Sequence, residues 1–94
     1  MSAYLIIQAK ISDWNKFKNY TQVVPNIVKQ FGGEYIVMDS EPEIFEGDDS
    51  GSVVVSKWPS KEAAQRFWQS NEYKNAMPLR AGTGKFHVML VNSL

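Results

Sequence analysis

Apolar and polar positions alternate along the chain in four stretches and recur at three- and four-residue steps in two others. Residues 4–11 (Tyr-Leu-Ile-Ile-Gln-Ala-Lys-Ile) read as a strand with Leu5, Ile7, Ala9 and Ile11 on one face. The opposite face begins with Tyr4 and Ile6 and turns polar at Gln8 and Lys10, so both faces carry apolar groups. Asp13 is placed to cap a helix whose stripe runs Trp14, Phe17, Tyr20 or Thr21, Val24, Val28 and Phe31. Pro25 lies inside that stripe and lacks an amide hydrogen, which predicts a kink or break near Val24. Gly32-Gly33 ends the helix, with Gly32 suited to a left-handed terminal position.

A second strand follows at Glu34–Met38, then a turn around Ser40-Glu41-Pro42 and a short strand-like segment, Glu43-Ile44-Phe45-Glu46. Ser52–Trp58 is rich in β-branched residues and reads as a central strand. Ser60 caps a helix that carries Ala63, Ala64, Phe67 and Trp68, and Ser70-Asn71 restarts a helical turn that Pro78 interrupts. Lys85–Val91 forms the last strand. The order β-α-β-(short β)-β-α-β is a doubled βαβ unit, which predicts an α+β, ferredoxin-like fold over residues 1–94 as one domain. Both helices then roof the same face of an antiparallel sheet. The strands are apolar on both faces, so a second copy of the chain is expected to cover the open one, as a homodimer.

Composition narrows the function. Ten basic and ten acidic residues give no net charge, which argues against a nucleic-acid partner. The absence of cysteine excludes disulfides and thiolate metal sites, and one histidine makes a structural zinc site untenable. No apolar stretch is long enough for a membrane span and no secretory pattern precedes the first strand, so a cytoplasmic location is expected. Six of the ten acidic groups fall within residues 39–49, without a calcium-loop pattern; a solvated, charge-protected edge hairpin accounts for them.

The chain resembles the domain of unknown function 1330 family of the dimeric α+β barrel superfamily. The resemblance rests on Tyr20 and Pro25, Gly32-Gly33-x-Tyr35, Glu46-Gly47-Asp48, Trp58-Pro59-Ser60, Ala63-Ala64 with Phe67-Trp68, Ser70-x-Glu72-Tyr73 and Pro78-Leu79-Arg80. It implies a sheet-to-sheet dimer and a cavity between sheet and helices, with no cofactor and no established reaction. Met38-Asp39-Ser40 stands where members usually carry an Arg and two Gly, and Asn92 stands where Glu is common. If that Arg serves an anionic ligand in relatives, Arg80 is the remaining candidate here.

The candidate ligand-binding residues are Tyr20, Trp58, Trp68, Tyr73, Arg80 and His87. The aromatic members suit a pocket for a flat or apolar small molecule, and equally suit core or dimer packing. Arg80 can bind a carboxylate bidentately, pair with Glu72, or cover apolar surface. His87 is a general base or, with no partner at a defined spacing, a half-buried sheet residue. Gly82-x-Gly84 precedes a strand and is no phosphate loop, and no Gly-x-Ser-x-Gly elbow occurs. Three functions fit: a small-molecule-binding or accessory module; a cofactor-independent monooxygenase or isomerase on an aromatic or polyketide-like substrate, by superfamily analogy; or a structural protein whose cavity its own side chains fill.

Overall fold

The computed structural model describes residues 2–94. Strands β1 (Ala3–Ile11), β2 (Glu34–Asp39), β3 (Ser52–Trp58) and β4 (Gly84–Asn92) form one antiparallel sheet in the order β2-β3-β1-β4. Helix α1 (Trp14–Gln30) connects β1 to β2. Helices α2 (Lys61–Gln69) and α3 (Asn71–Ala76), with a 3₁₀ turn at Met77–Arg80, connect β3 to β4. This is the ferredoxin-like arrangement that the element order predicts.

Local chemistry explains the boundaries. The Asp13 carboxylate accepts the Lys16 amide at 3.0 Å and starts α1. Gly32 leaves that helix with φ +93°, a conformation that side chains with a Cβ resist. Ser60 accepts the Ala63 amide at 3.1 Å to start α2. Ser70 has two tasks: its hydroxyl donates to the Phe67 carbonyl at the end of α2 and accepts the Tyr73 amide at the start of α3.

Two expectations need correction. Helix α1 runs unbroken through Pro25 from Trp14 to Gln30. Proline costs one backbone hydrogen bond there, and the flanking Val24, Ile27 and Val28 are all buried, so packing on both sides holds the helix together. Residues 43–46 form no strand. Asp39 and Asp49 accept the Glu41 and Gly51 amides, bending the chain away from the sheet at both ends of the loop, and Phe45 stands 91% exposed. The acidic connection is solvated along most of its length, but as a loop and not as the edge hairpin that its charges suggest.

The register sorts the sheet into two faces. Ala3, Leu5, Ile7, Ala9 and Ile11 of β1 turn to the helices, together with Ser52, Val54, Ser56 and Trp58 of β3 and Phe86, Val88 and Leu90 of β4. A bulge between Tyr35 and Val37 lets β2 keep both Tyr35 and Met38 on that face. The far face carries Tyr4, Ile6, Val53, Val55, Val37, Met89 and Val91, with Gln8 opposite His87 and Lys10 opposite Lys85 toward one end. No helix covers it.

The core joins Leu5, Val24, Ile27, Val28, Trp58, Ala63, Ala64, Phe67, Tyr73 and Ala76. Helix α2 packs directly on β1, β3 and β4, where Ala63 and Ala64 permit a close approach. Helix α1 instead packs mainly against α3 and the 3₁₀ turn. Its buried Val24, Ile27 and Val28 seat the C-terminal half, while Phe17 and Tyr20 project from the N-terminal half over open space. Among the described residues no helix is long and apolar enough to cross a membrane.

Candidate functional site

The open space between α1 and the sheet is a cavity of about 520 Å³. Its floor is the helix-facing side of the sheet, represented by Ile7, Val54 and Val88, and its walls are rings: Phe17 and Tyr20 from α1, Phe67 and Trp68 from α2, Tyr73 from α3, Tyr35 from β2 and Phe86 from β4. Phe17 stacks on Tyr20 at 5.4 Å and lies 5.8 Å from Phe86. Tyr73 packs between Phe67 at 4.7 Å and Trp68 at 4.9 Å.

The polar groups are few. The Tyr20 and Tyr73 hydroxyls are hydrogen-bonded at 2.8 Å, and either can donate. One bond between two phenols uses one of two O–H donors, so the second remains for another acceptor. Burial, reinforced by the Tyr73 phenol and its hydrogen bond, pushes the Tyr20 pKa far above its ordinary value, while the Arg80 charge pulls weakly the other way. Burial and then Tyr73 push Tyr35 up to about 12. Both phenols are therefore neutral donors at physiological pH, unable to act as bases.

Arg80 closes one end. Its guanidinium lies 4.3 Å from the centre of the Phe86 ring and 5.8 Å from that of Tyr20. Its Nε is buried and has no hydrogen-bond partner among the described residues. The pairing with Glu72 that the sequence allows does not form: the Glu72 carboxylate accepts from Gln30 Nε2 at 3.1 Å on the protein surface. Thr83 fixes the Arg80 backbone. Fully buried, it donates from its amide and hydroxyl to the Arg80 carbonyl, and its own carbonyl accepts the Ser12 and Asp13 amides at 2.7 and 3.1 Å. Lys16 Nζ adds a bond to the Ala81 carbonyl at 2.6 Å. The start of α1 and the segment bearing Arg80 are thus tied into one unit.

Of the six candidate residues, Tyr20, Trp68, Tyr73 and Arg80 come together around the cavity. Trp58 and His87 do not. Trp58 is 1% exposed, its Nε1 donates to Ser56 Oγ at 2.8 Å, and its ring fills the core beside Phe67. His87 is exposed on the far face opposite Gln8, where strand alternation puts it back to back with Phe86 and Val88. Sequence reasoning missed Phe17 and Phe86 as cavity walls. The alternation within β4 already put Phe86 on the face opposite His87, and that was the available signal.

A four-stranded ferredoxin-like sheet with an aromatic cavity under its first helix defines the class of protein. The chain belongs to the family described as Domain of unknown function (DUF1330), which matches residues 2–94. No curated protein matches the chain in sequence. Among solved structures, a protein of unknown function from Rhodopseudomonas palustris is similar with a TM-score of 0.83 at 11% identity, covering 99% of this chain and 82% of that one. A dimeric ferredoxin-like protein of unknown function from Jannaschia sp. CCS1 gives 0.75 at 7% identity, covering 99% and 100%. SnoaB, a cofactor-independent oxygenase from Streptomyces nogalater, gives 0.65 at 9% identity, covering 99% and 93%. At these identities the likenesses establish the shared fold.

Proposed function

We propose that the protein is a small-molecule-binding module, one domain per chain and paired with a second copy, that holds an apolar, ring-bearing ligand between α1 and the sheet. The observation that carries this reading is the cavity of about 520 Å³, walled by rings, with a hydrogen-bonded phenol pair and a guanidinium among its few polar groups. Ligand sites of about 300–1,000 Å³ with mostly apolar walls and a few polar groups are typical of such binding. A purely structural protein would fill this volume with its own side chains, as the core beneath α2 does.

The far face supports the pairing. Ile6, Val55, Val37, Met89 and Val91 are contiguous across four strands, and a second copy stacked on them would remove their exposure. The Jannaschia relative is described as dimeric, in keeping with that. An oxygenase reading draws on SnoaB, yet the one acidic residue in the lining, Asp39, pairs with Val53 of the far face, is exposed and accepts the Glu41 amide, while His87 faces away. Binding is the better supported reading.

Thermal denaturation with a library of aromatic metabolites tests it. At ten times its Kd a ligand stabilises the folded state by about 1.4 kcal/mol, or about 6–11 °C for a domain this size. Val88→Trp, which fills the floor, should abolish the shift. A library that leaves the wild type unmoved, or moves both proteins equally, would refute the proposal.

A further inference from the structure

We infer that the ligand of this cavity is an aromatic carboxylic acid, its carboxylate received by Arg80 with the free phenol hydroxyl of the Tyr20–Tyr73 pair as second donor. This deepens the binding reading above and rests on it. The argument begins with what Arg80 lacks. A guanidinium nitrogen removed from water ordinarily has an acceptor, and a carboxylate is the usual one, because an unmatched buried donor on a charged group is costly; Arg80 is half-buried. Here Nε is buried with nothing to donate to among the described residues, and the guanidinium carbon lies 4.3 Å from the Phe86 ring centre and 5.8 Å from that of Tyr20. Glu72, the nearby acid in sequence, is engaged with Gln30 outside the cavity.

The phenol pair points to the same chemistry. Two phenol hydroxyls 2.8 Å apart use one hydrogen in their mutual bond and leave the other to donate. The site therefore presents a positive charge and a free donor, and the one acidic residue in its lining, Asp39, is exposed with its carboxylate already accepting the Glu41 amide. An acceptor-only group with a single negative charge meets both demands. One cation suits a monoanion better than a doubly charged phosphate, and an amine would meet repulsion. The rest of the molecule is specified by the walls: Phe17, Trp68 and Phe86 offer ring faces, and the floor is Ile7, Val54 and Val88.

Isothermal titration with four naphthalene probes tests the assignment: the carboxylate, the carboxamide, the phosphate monoester and the methylamine. The carboxylate is expected to bind at least about tenfold tighter than the carboxamide, as charge-assisted hydrogen bonds allow. That preference should vanish in Arg80→Met, whose flexible apolar side chain can lie on the same rings. Tyr73→Phe should reduce it in part. Equal binding of carboxylate and carboxamide, a preference that survives Arg80→Met, or tighter binding of the phosphate would each overturn the inference while leaving the cavity reading intact. If none of the four binds, the cavity reading falls and takes this inference with it. The comparison of the four probes in the wild-type protein decides the matter even if a variant fails to fold.

Discussion

Gly33→Ala should destabilise the protein, and Trp58→Phe should rescue part of the loss. A Cβ built on Gly33 falls 2.6 Å from Cζ2 and 2.7 Å from Cη2 of Trp58, and 2.7 Å from Cγ1 of Val28. Ordinary carbon contacts are about 3.5–4.0 Å, so each neighbour must retreat by about 1 Å. Neither is free to do so. Trp58 is held by its bond to Ser56 and by Phe67, and both Trp58 and Val28 are buried. Overpacking of this kind costs about 1–3 kcal/mol. The backbone offers no further penalty, since φ at Gly33 is not positive, and alanine regains about 0.4–1 kcal/mol by restricting the unfolded chain. The net loss lies between about 0 and about 2.6 kcal/mol, centred near about 1.3 kcal/mol. Trp58→Phe alone also destabilises, because it opens a void and leaves the Ser56 hydroxyl without its donor. In the double variant the new methyl enters space that the shorter ring vacates. Urea unfolding of the four proteins at one chain concentration should give a total loss smaller than the sum of the single losses by at least about 1 kcal/mol. Additivity within about 0.5 kcal/mol, or a Gly33→Ala protein more stable than wild type, would refute this account of the core.

Ser70→Ala removes the hydroxyl that joins the end of α2 to the start of α3 and should cost about 1–2 kcal/mol in urea unfolding; a loss no larger than a few tenths would show that the junction is held by packing alone. Raised phenol pKa values make folding sensitive to alkali: the native state keeps protons on Tyr20 and Tyr35 that the unfolded chain releases near pH 10, so stability holds below that pH and falls as pH rises toward 12 and beyond. Urea midpoints at about pH 9 and about pH 11 should differ less in Tyr20→Phe than in wild type, and an equal fall in both would contradict the assignment. Ile6→Lys places a charge at the centre of the far face, opposite Val55 and Met89, and should turn a homodimer into a monomer in sedimentation; a wild type already monomeric at micromolar concentration removes the proposed pairing.

The strands and helices were legible because burial imposes a period on each of them. β3 spans Ser52–Trp58 as its β-branched run indicates, and the two serine caps stand where the sequence places them. The failures have local causes. Glu43–Glu46 looks like a strand by its pair of apolar residues, yet the flanking aspartates form turns that a pattern of hydrophobicity does not register. Pro25 suggests a break because propensity ignores the buried valines and isoleucine around it. For the site, aromatic residues were recognised as a set, but Trp58 belongs to the core and Phe86 to the cavity. Alternation assigns a residue to a face of the sheet; it does not say what lies above that face.

What lies above it follows from the unequal seating of the two long helices. Helix α2 meets the sheet through Ala63, Ala64 and Phe67, small and large residues that close-pack over β1, β3 and β4. Helix α1 is held at its N-terminal half from the side: Asp13 and Ser12 hang from the Thr83 carbonyl, Lys16 from that of Ala81, and Tyr20 from Tyr73. Those attachments are polar and lateral, so they fix the helix without drawing it onto the sheet. The same attachments secure the backbone at Arg80 and the phenol at Tyr73, and stability and site geometry therefore share their supports. A substitution at Thr83, remote from any ligand atom, should then loosen α1 and impair binding together, whereas a substitution at Ala63 or Ala64, which do not line the cavity, should lower stability with the cavity chemistry unchanged.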